Sequence, residues 1–330
     1  MVERSGTALL LEQICNHHED KIMPLGAFKA ALMGTAGVST GGYGYTMGGL
    51  EAGGRVDTID KFAFASDANA TDVGDITAAR SGSSGTNSSS HGYICGGSDG
   101  SYVNIIEKFS FSAGGDSSDV GDLTEATGYV AGHQSSSHGY RSNGYAAVRV
   151  NVIDKWSYAS DGNATDVGDL TVARFGAVGA SSSASGYTAG GQSATGNTDI
   201  IDKFSLSSDG NSTDVGDLTF VLSYHAAGAQ SSASGYNAGG SRGGGDYDII
   251  EKWSFSSDGD ATDVGDLYEG KSESCGQSSD NHGYCSGGFG RVADDYTDGI
   301  DKYAFASDGN ASDVGNLAAA RMQLGSCSDK

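Results

Sequence analysis

The fold is decided by the phrase Ile153-Asp154-Lys155-Trp156-Ser157-Tyr158-Ala159-Ser160-Asp161-Gly162-Asn163-Ala164-Thr165-Asp166-Val167-Gly168-Asp169-Leu170, which the chain repeats six times with small changes. Near its start, each copy has an acid–Lys pair, and successive lysines are 47, 47, 48, 49 and 50 residues apart. A regular period of this length is typical of solenoids, propellers and other repeat arrays. The 330 residues therefore predict one repeat domain. The six pairs are Asp60-Lys61, Glu107-Lys108, Asp154-Lys155, Asp202-Lys203, Glu251-Lys252 and Asp301-Lys302.

Each repeat is long enough for four short strands separated by turns. In the fourth repeat the sequence predicts strands at Ala173–Ala180, Gly186–Gly191, Ile200–Ser207 and Thr213–Leu218. Asp209-Gly210-Asn211 supplies the tight turn between the third and fourth of these strands. Four short antiparallel strands per repeat of this length predict one propeller blade.

The third strand of each repeat has two chemically different faces. Because side chains alternate along a strand, Phe204 and Leu206 lie on one face and Lys203 and Ser205 on the other. We expect the large residues to pack on the small Ser/Ala face of a neighbouring repeat. We expect Lys203 to join Asp214 and Asp217 in a polar network within its own repeat.

The repeat arithmetic gives six blades. Their predicted bounds are 31–77, 78–124, 125–171, 172–219, 220–268 and 269–317, followed by a closing strand within 318–330. The segment 320–326 resembles the beginning of the fourth repeat, 173–179, so it can supply a strand that pairs with the first blade and covers its edge. Residues 31–40 are the other candidate for that position, and the sequence leaves the choice open.

Residues 1–30 stand outside the repeat and form an N-terminal extension. Ser5 or Thr7 can cap a short helix whose apolar side carries Leu9, Leu10, Leu11 and Ile14. Pro24 prevents the helix from continuing. We expect this helix either to cover one face of the propeller or to act as a docking segment for a larger assembly.

The residues around the second and third strands resemble a kelch propeller blade. A double glycine ends the second strand, and an aromatic third strand follows after a variable loop. The resemblance covers roughly residues 31–330 and implies a six-bladed kelch-like β-propeller with four antiparallel strands per blade. The Asp-Val-Gly-Asp fourth strand departs from the kelch pattern, in which this strand more often carries Trp. The double glycines are Gly48-Gly49, Gly96-Gly97, Gly190-Gly191, Gly239-Gly240 and Gly287-Gly288, with Asn143-Gly144 in the third repeat.

Charge and composition argue against several classes of partner. The formal net charge is −23, from 42 acidic and 19 basic residues. Nucleic acids and anionic membranes attract basic surfaces, so we expect neither as a partner. The absence of a long apolar run predicts no membrane insertion, and the first residues do not resemble a signal peptide. Cys275 and Cys285 fall on neighbouring predicted strands, where free core thiols are favoured and a disulfide is the alternative.

The histidines and acids do not form a recognisable catalytic or metal-binding motif. His91, His138 and His282 precede Gly-Tyr in three repeats that are not all consecutive, which favours a polar turn position over a shared metal site. The segment 209–214 has oxygens that suit calcium, but a hairpin turn needs the same residues. We therefore expect no metal, no cofactor and no enzyme activity. A copper enzyme of the galactose oxidase type, which has kelch-like blades, is the alternative that the fold allows.

Binding residues are expected in the variable loops that follow the second strands. These loops carry aromatic and arginine side chains, the residue types that most often anchor interfaces. Variable loops on a rigid scaffold are a usual place for recognition. The candidates are Arg55, Tyr102, Arg149, Arg242, Tyr247, Phe289, Arg291 and Tyr296.

The Ile-Asp-Lys-Phe and Ala-Thr-Asp-Val-Gly-Asp-Leu phrases are similar to repeats in virion structural proteins of marine phages. This resemblance implies a non-enzymatic virion protein, assembled in the host cytoplasm and attached to the tail, neck or capsid. Its expected partners are other virion proteins and a host cell-surface glycan or receptor. The alternative is a cellular or secreted kelch propeller that binds glycan or protein.

Overall fold

The computed structural model describes residues 42–221, 226–291 and 295–330. Within these ranges every regular element is a β-strand, and six antiparallel sheets contain four strands each. The described part of the chain is therefore all-β, as the sequence predicts. The expected helix with Leu9, Leu10, Leu11 and Ile14 lies outside the described residues.

The six sheets are numbered here in chain order, and the strands of each sheet in their order across it. Ten further strands of two residues each form two hairpins and two three-stranded sheets. Sheet one contains Gly325–Asp329, Tyr43–Met47, Thr58–Ala63 and Thr71–Asp75, and sheet two contains Ser84–Asn87, His91–Cys95, Ile105–Ser110 and Ser118–Asp122. Sheet three contains Ala131–Gln134, His138–Tyr145, Arg149–Ser157 and Thr165–Asp169, and sheet four contains Val178–Ser181, Ser185–Ala189, Ile200–Ser205 and Thr213–Asp217. Sheet five contains Ala227–Gln230, Ser234–Ala238, Ile249–Ser254 and Thr262–Asp266, and sheet six contains Cys275–Ser278, His282–Ser286, Gly299–Ala304 and Ser312–Asn316.

The short strands lie beside the ends of the second strands. The two hairpins are Leu50–Glu51 with Gly54–Arg55, and Ser241–Arg242 with Gly245–Asp246; the two three-stranded sheets are Arg174–Phe175, Gln192–Ser193 and Gly196–Asn197, and Lys271–Ser272, Phe289–Gly290 and Asp295–Tyr296.

Sheet one combines strands from distant parts of the sequence. Gly325–Asp329 runs antiparallel to Tyr43–Met47, with Tyr43 opposite Asp329 and Met47 opposite Gly325. The C-terminal strand thus occupies the position that the first strand of each repeat holds in the other five sheets. Residues 31–40, the other candidate for this position, lie outside the described residues.

Large third-strand side chains fill the space between neighbouring sheets. Phe204 is buried and lies across Gly186 of its own sheet, where a Cβ would come within 2.3 Å of the ring. The ring then packs on Tyr140 of sheet three, 5.9 Å between centroids, and the Tyr140 hydroxyl donates to the Leu206 carbonyl at 2.9 Å. For Phe204 the expected contact with a small Ser/Ala face is therefore wrong, because the neighbouring sheet supplies an aromatic ring. Two other third strands meet alanines of the neighbouring sheet as expected, since Trp253 clusters with Ala180 and Ala189, and Tyr303 with Ala227, Ala229 and Ala238.

The third-strand lysines join each sheet to the following one. Since Phe204 faces sheet three, the alternation of side chains turns Lys203 towards sheet five, where its Nζ lies 2.7 Å from Asp258 Oδ1. The predicted network within one repeat is therefore wrong for Lys203. Five such pairs link neighbouring sheets, and the last returns from sheet six to sheet one: Lys108–Asp161, Lys155–Asp209, Lys203–Asp258, Lys252–Asp308 and Lys302–Asp67.

Residues at or next to the ends of the first strands form a second set of contacts between sheets. Each backbone N–H donates to a side-chain oxygen on the first strand of the next sheet, at 2.6 to 3.5 Å. The sixth bond returns from the strand of sheet one to that of sheet two. These bonds satisfy edge N–H groups that a sheet would otherwise leave unpaired. In order the residues are Asn87, Gln134, Ser181, Gln230, Ser278 and Ser328.

Candidate binding surface

One edge of the sheets, called the loop face here, carries most of the residues with binding chemistry. It consists of the segments between second and third strands together with the segments that connect one sheet to the next. Isolated bridges join the two sets, between Ser81 and Ser98, and between Gly128 and Tyr145. The sharp exit from the second strand needs positive φ angles, as at Gly191 with φ 99°, which only glycine adopts without strain.

The eight predicted binding residues lie on the loop face but do not form one cluster. Arg55 Nη2 lies 3.4 Å from Ser98 Oγ in the next repeat, and Arg291 Nη1 lies 3.5 Å from the Asp246 carbonyl. The other six divide into local groups. Tyr247 is 6.3 Å from the ring of Phe220, Phe289 is 6.3 Å from Tyr296, Arg242 is exposed, and Tyr102 and Arg149 belong to the group described next.

Four aromatic rings form a continuous row on the loop face between sheets two and four. Tyr102 lies 5.8 Å from Tyr145, Tyr145 lies 5.3 Å from Phe175, and Phe175 lies 5.8 Å from Tyr129. All four rings are partly exposed. Burial raises the pKa of Tyr102 and of Tyr129, so both remain neutral phenols that can donate hydrogen bonds. We call these four residues with Arg149 the aromatic patch.

Arg149 is fixed at the edge of the aromatic patch. Its guanidinium carbon lies 5.4 Å from the centroid of the Phe175 ring. Nε donates to the Gln192 carbonyl and Nη2 to Gln192 Oε1, each at 3.1 Å. Gln192 Nε2 in turn lies 3.4 Å from Asn197 Oδ1. The half-buried guanidinium is therefore held in one orientation, with its charge next to the aromatic row.

The patch exists because sheet three departs from the common pattern. Its second strand has Asn143-Gly144 where other repeats have the double glycine, and the ladder continues to Tyr145 opposite Arg149. Asn143 and Ala147 adopt φ of 54° and 65°, values that are uncommon outside glycine. This longer hairpin places Tyr145 and Arg149 on the loop face, with Val148 at its tip 67% exposed.

Several loop-face residues were not among the sequence candidates. Tyr129 and Phe175 belong to segments that connect one sheet to the next, and Tyr145 lies one residue before the loop that was searched. Tyr268 lies in another connecting segment and is 71% exposed. The predicted topology could have identified the residues of the connecting segments, because the segments after second and fourth strands emerge at the same edge of an antiparallel sheet.

The arginines outside the core lie on the loop face. Among the described residues, four arginines are fully buried and the other four lie on this face. The loop face also carries exposed acids, among them Asp57, Asp99, Asp248 and Asp295. The rim of the hairpin turns carries exposed aspartates together with the partly exposed lysines that pair with them. The buried arginines are Arg80, Arg141, Arg174 and Arg321, and the loop-face arginines are Arg55, Arg149, Arg242 and Arg291.

The histidines lie in separate places. His91, His138 and His282 begin the second strands of three sheets, and burial lowers the pKa of each. His133, which the sequence analysis did not single out, is buried with Nε2 2.8 Å from Ser142 Oγ, and burial lowers its pKa to about 4. In the described ranges no group of three or more His, Cys, Asp or Glu residues is arranged to hold a metal ion.

The two neighbouring cysteines are free thiols. Cys275 is opposite Ser286 and Cys285 is opposite Gly276, so the two side chains point to opposite faces of sheet six. Burial raises the pKa of both thiols, to about 12 for Cys275, which keeps them neutral. They act as small core residues in separate clusters.

Comparison with known proteins gives no match: neither a protein-family model nor a curated protein resembles the chain. No helix among the described residues is long and apolar enough to cross a membrane.

Proposed function

We propose that the six sheets are the blades of a closed kelch-like β-propeller. Two independent sets of contacts support closure, because the lysine pairs and the first-strand hydrogen bonds both return to the sheet from which they began. In this architecture the C-terminal strand joins blade one and removes an edge that would otherwise pair with other chains.

The proposed function is that of a non-enzymatic virion structural protein, a propeller attached to the tail, neck or capsid that binds a partner through its loop face. The observation that carries the binding role is the aromatic patch, where four partly exposed rings adjoin a fixed arginine. Exposed aromatic and arginine side chains on a rigid support lose little entropy on binding. The virion setting is proposed from the resemblance of the repeated phrases.

Mass spectrometry of purified, density-banded virus particles tests the virion role. We expect this chain at a constant copy number per particle across gradient fractions. Its absence from particles, together with its presence in cell-envelope or secreted fractions, would contradict the proposal and favour the cellular or secreted propeller.

The docking role proposed for the N-terminal extension has its own test. Deleting residues 1–24 should remove the chain from particles while the propeller keeps the cooperative unfolding transition of the full chain. The matched control replaces Leu9, Leu10 and Ile14 with Ser in the full-length chain. Incorporation that survives both changes would show that the extension does not attach the protein.

A further inference from the structure

We propose that the aromatic patch binds a glycan that carries carboxylate groups, such as a chain of uronic acids or a sialylated oligosaccharide. This inference rests on the proposed loop-face binding function and names the ligand of that face. It follows from the shape of the row, the donors at its edge and the charge of Arg149.

The rings provide stacking surfaces for sugars. Tyr102, Tyr145, Phe175 and Tyr129 are partly exposed and follow one another at 5.3 to 5.8 Å between centroids. The faces of aromatic rings are electronegative and attract the weakly positive C–H groups on one side of a pyranose ring. A row of four rings, rather than one isolated ring, is suited to an oligosaccharide.

The polar groups at the edge of the row are suited to a carboxylate and to hydroxyl groups. Gln192 accepts from Nε and from one N–H of Nη2 of Arg149, so Nη1 and the second N–H of Nη2 can donate to a ligand. A bond from a guanidinium to a carboxylate is about twice as strong as one between neutral groups. The neutral phenol of Tyr102 can donate to, and accept from, sugar hydroxyls.

The charge of Arg149 favours an anionic ligand over a neutral one. Every described arginine that is not fully buried lies on the loop face, which also carries exposed acids such as Asp57 and Asp99. The attraction of a carboxylate therefore comes at short range from the fixed guanidinium at the edge of the patch. Nucleic acid, the other common anion, needs a continuous basic surface for its phosphates, and a net acidic protein with scattered arginines does not provide one.

Titration calorimetry with the full chain tests the inference, using tetragalacturonate and sialyllactose as carboxylated probes. Cellotetraose and lactose are their neutral counterparts. We expect binding of at least one carboxylated probe, with at least tenfold weaker binding of its neutral counterpart. Raising sodium chloride from 50 to 500 mM should weaken the binding further, because screening reduces the contribution of Arg149.

Two variants locate the binding on the patch. Arg149→Gln and Tyr145→Ala should each reduce the affinity at least tenfold while the thermal unfolding midpoint stays close to that of the unmodified chain. Lys203→Gln makes the same change of charge on the rim and should alter the affinity by less than twofold. An equal loss in Lys203→Gln and Arg149→Gln would overturn the inference, since the effect would then be one of net charge.

The outcomes separate this inference from the virion role. A chain that is present in particles but binds neither carboxylated probe, or binds the neutral counterparts equally well, overturns the inference and leaves the virion role intact. A chain that binds the carboxylated probes through the patch but is absent from particles supports the inference and overturns the virion role.

Discussion

Sheets two and five place a buried glutamate at the same position of the third strand, yet the two carboxylates have different partners. Glu107 in sheet two is paired with Arg80 and also accepts from Ser117 and from the amide and hydroxyl of Thr77. Glu251 in sheet five accepts from the amide and hydroxyl of Thr219 and from Asn237.

The two environments move the carboxyl pKa values in opposite directions. Burial alone would raise the pKa of Glu107, but Arg80 and the hydrogen bonds outweigh it and hold that pKa below its ordinary value. Burial raises the pKa of Glu251, and the bonds from Thr219 and Asn237 only partly oppose the rise. The repeat thus preserves the position of the acid but not its charge partner. A buried charge needs a counter-charge to remain ionised, whereas a buried neutral acid needs only hydrogen bonds.

The largest expected difference between the two sheets is in the cost of removing the charge. Glu107→Gln should reduce the free energy of unfolding by about 3–5 kcal/mol, because Arg80 is left buried without a counter-charge. In either orientation the amide NH2 also faces an N–H group, of Arg80 or of Thr77, that cannot accept. Glu251→Gln should change it by less than about 1 kcal/mol, since the amide can accept from Thr219 and can donate to Asn237 after the Asn237 amide flips. Urea unfolding at pH 7 measures both.

Equal destabilisation by the two glutamine variants would contradict the proposed difference in ionisation between Glu107 and Glu251. It would mean that Glu251 is as fully ionised as Glu107, and that a cation reaches it. The matched control is Asp202→Asn in sheet four, where Arg174 Nη1 lies 2.8 Å from Asp202 Oδ2. This variant should resemble Glu107→Gln, because it too leaves a buried arginine unpaired.

The pH dependence of unfolding should have opposite signs for the two glutamates, at about 1.4 kcal/mol for each unit of pKa shift. The pKa of Glu107 is lowered on folding, so its contribution is present above its unfolded pKa and is lost as the pH falls through the folded pKa. The pKa of Glu251 is raised on folding, so its contribution is present below its unfolded pKa and is lost as the pH rises through the folded pKa.

Each contribution is isolated by subtracting the unfolding free energy of the glutamine variant from that of the unmodified chain between pH 3 and pH 8. For Glu107 the difference should increase with pH, and for Glu251 it should decrease. If both differences increase with pH, the assignment of Glu251 as the weakly ionised acid is wrong.

The partners of the buried third-strand acids show which parts of the structure could be predicted from the sequence and which could not. The period, the four strands and the buried face of Phe204 follow from local patterns, because alternation and turn chemistry act over a few residues. The position of the arginine that pairs with each buried acid does not follow from local patterns. Arg80 precedes a first strand whereas Arg141, which lies 2.7 Å from Asp154, belongs to a second strand. Only the folded sheet brings either position to the acid.

The aromatic patch likewise depends on how the folded sheets bring separate segments together. Its rings come from four separate segments, and the ladder of sheet three, which continues past Asn143-Gly144, fixes where Tyr145 lies. Tyr102 and Arg149 follow from the sequence because they lie in the loops after second strands. Tyr129 and Phe175 lie in connecting segments at the same edge, but their contacts within the row depend on how neighbouring sheets pack.

The smallest expected effect concerns the rim, where sheets two and five are alike. Lys108 pairs with Asp161, and Lys252 pairs with Asp308, in both cases with the aspartate more than half exposed. Lys108→Met and Lys252→Met should therefore each cost about 0.2–1 kcal/mol in urea unfolding, and 1 M sodium chloride should reduce both costs, since exposed ion pairs are screened. Lys61→Met is the control, because Lys61 lies 3.7 Å from the ring centroid of Tyr43 and a cation–π contact is less dependent on salt than an exposed ion pair. A cost above about 2 kcal/mol for Lys252→Met alone would show that the difference between the two sheets extends to the rim. The lack of a charge partner for Glu251 among the described residues would then not be an isolated change in sheet five.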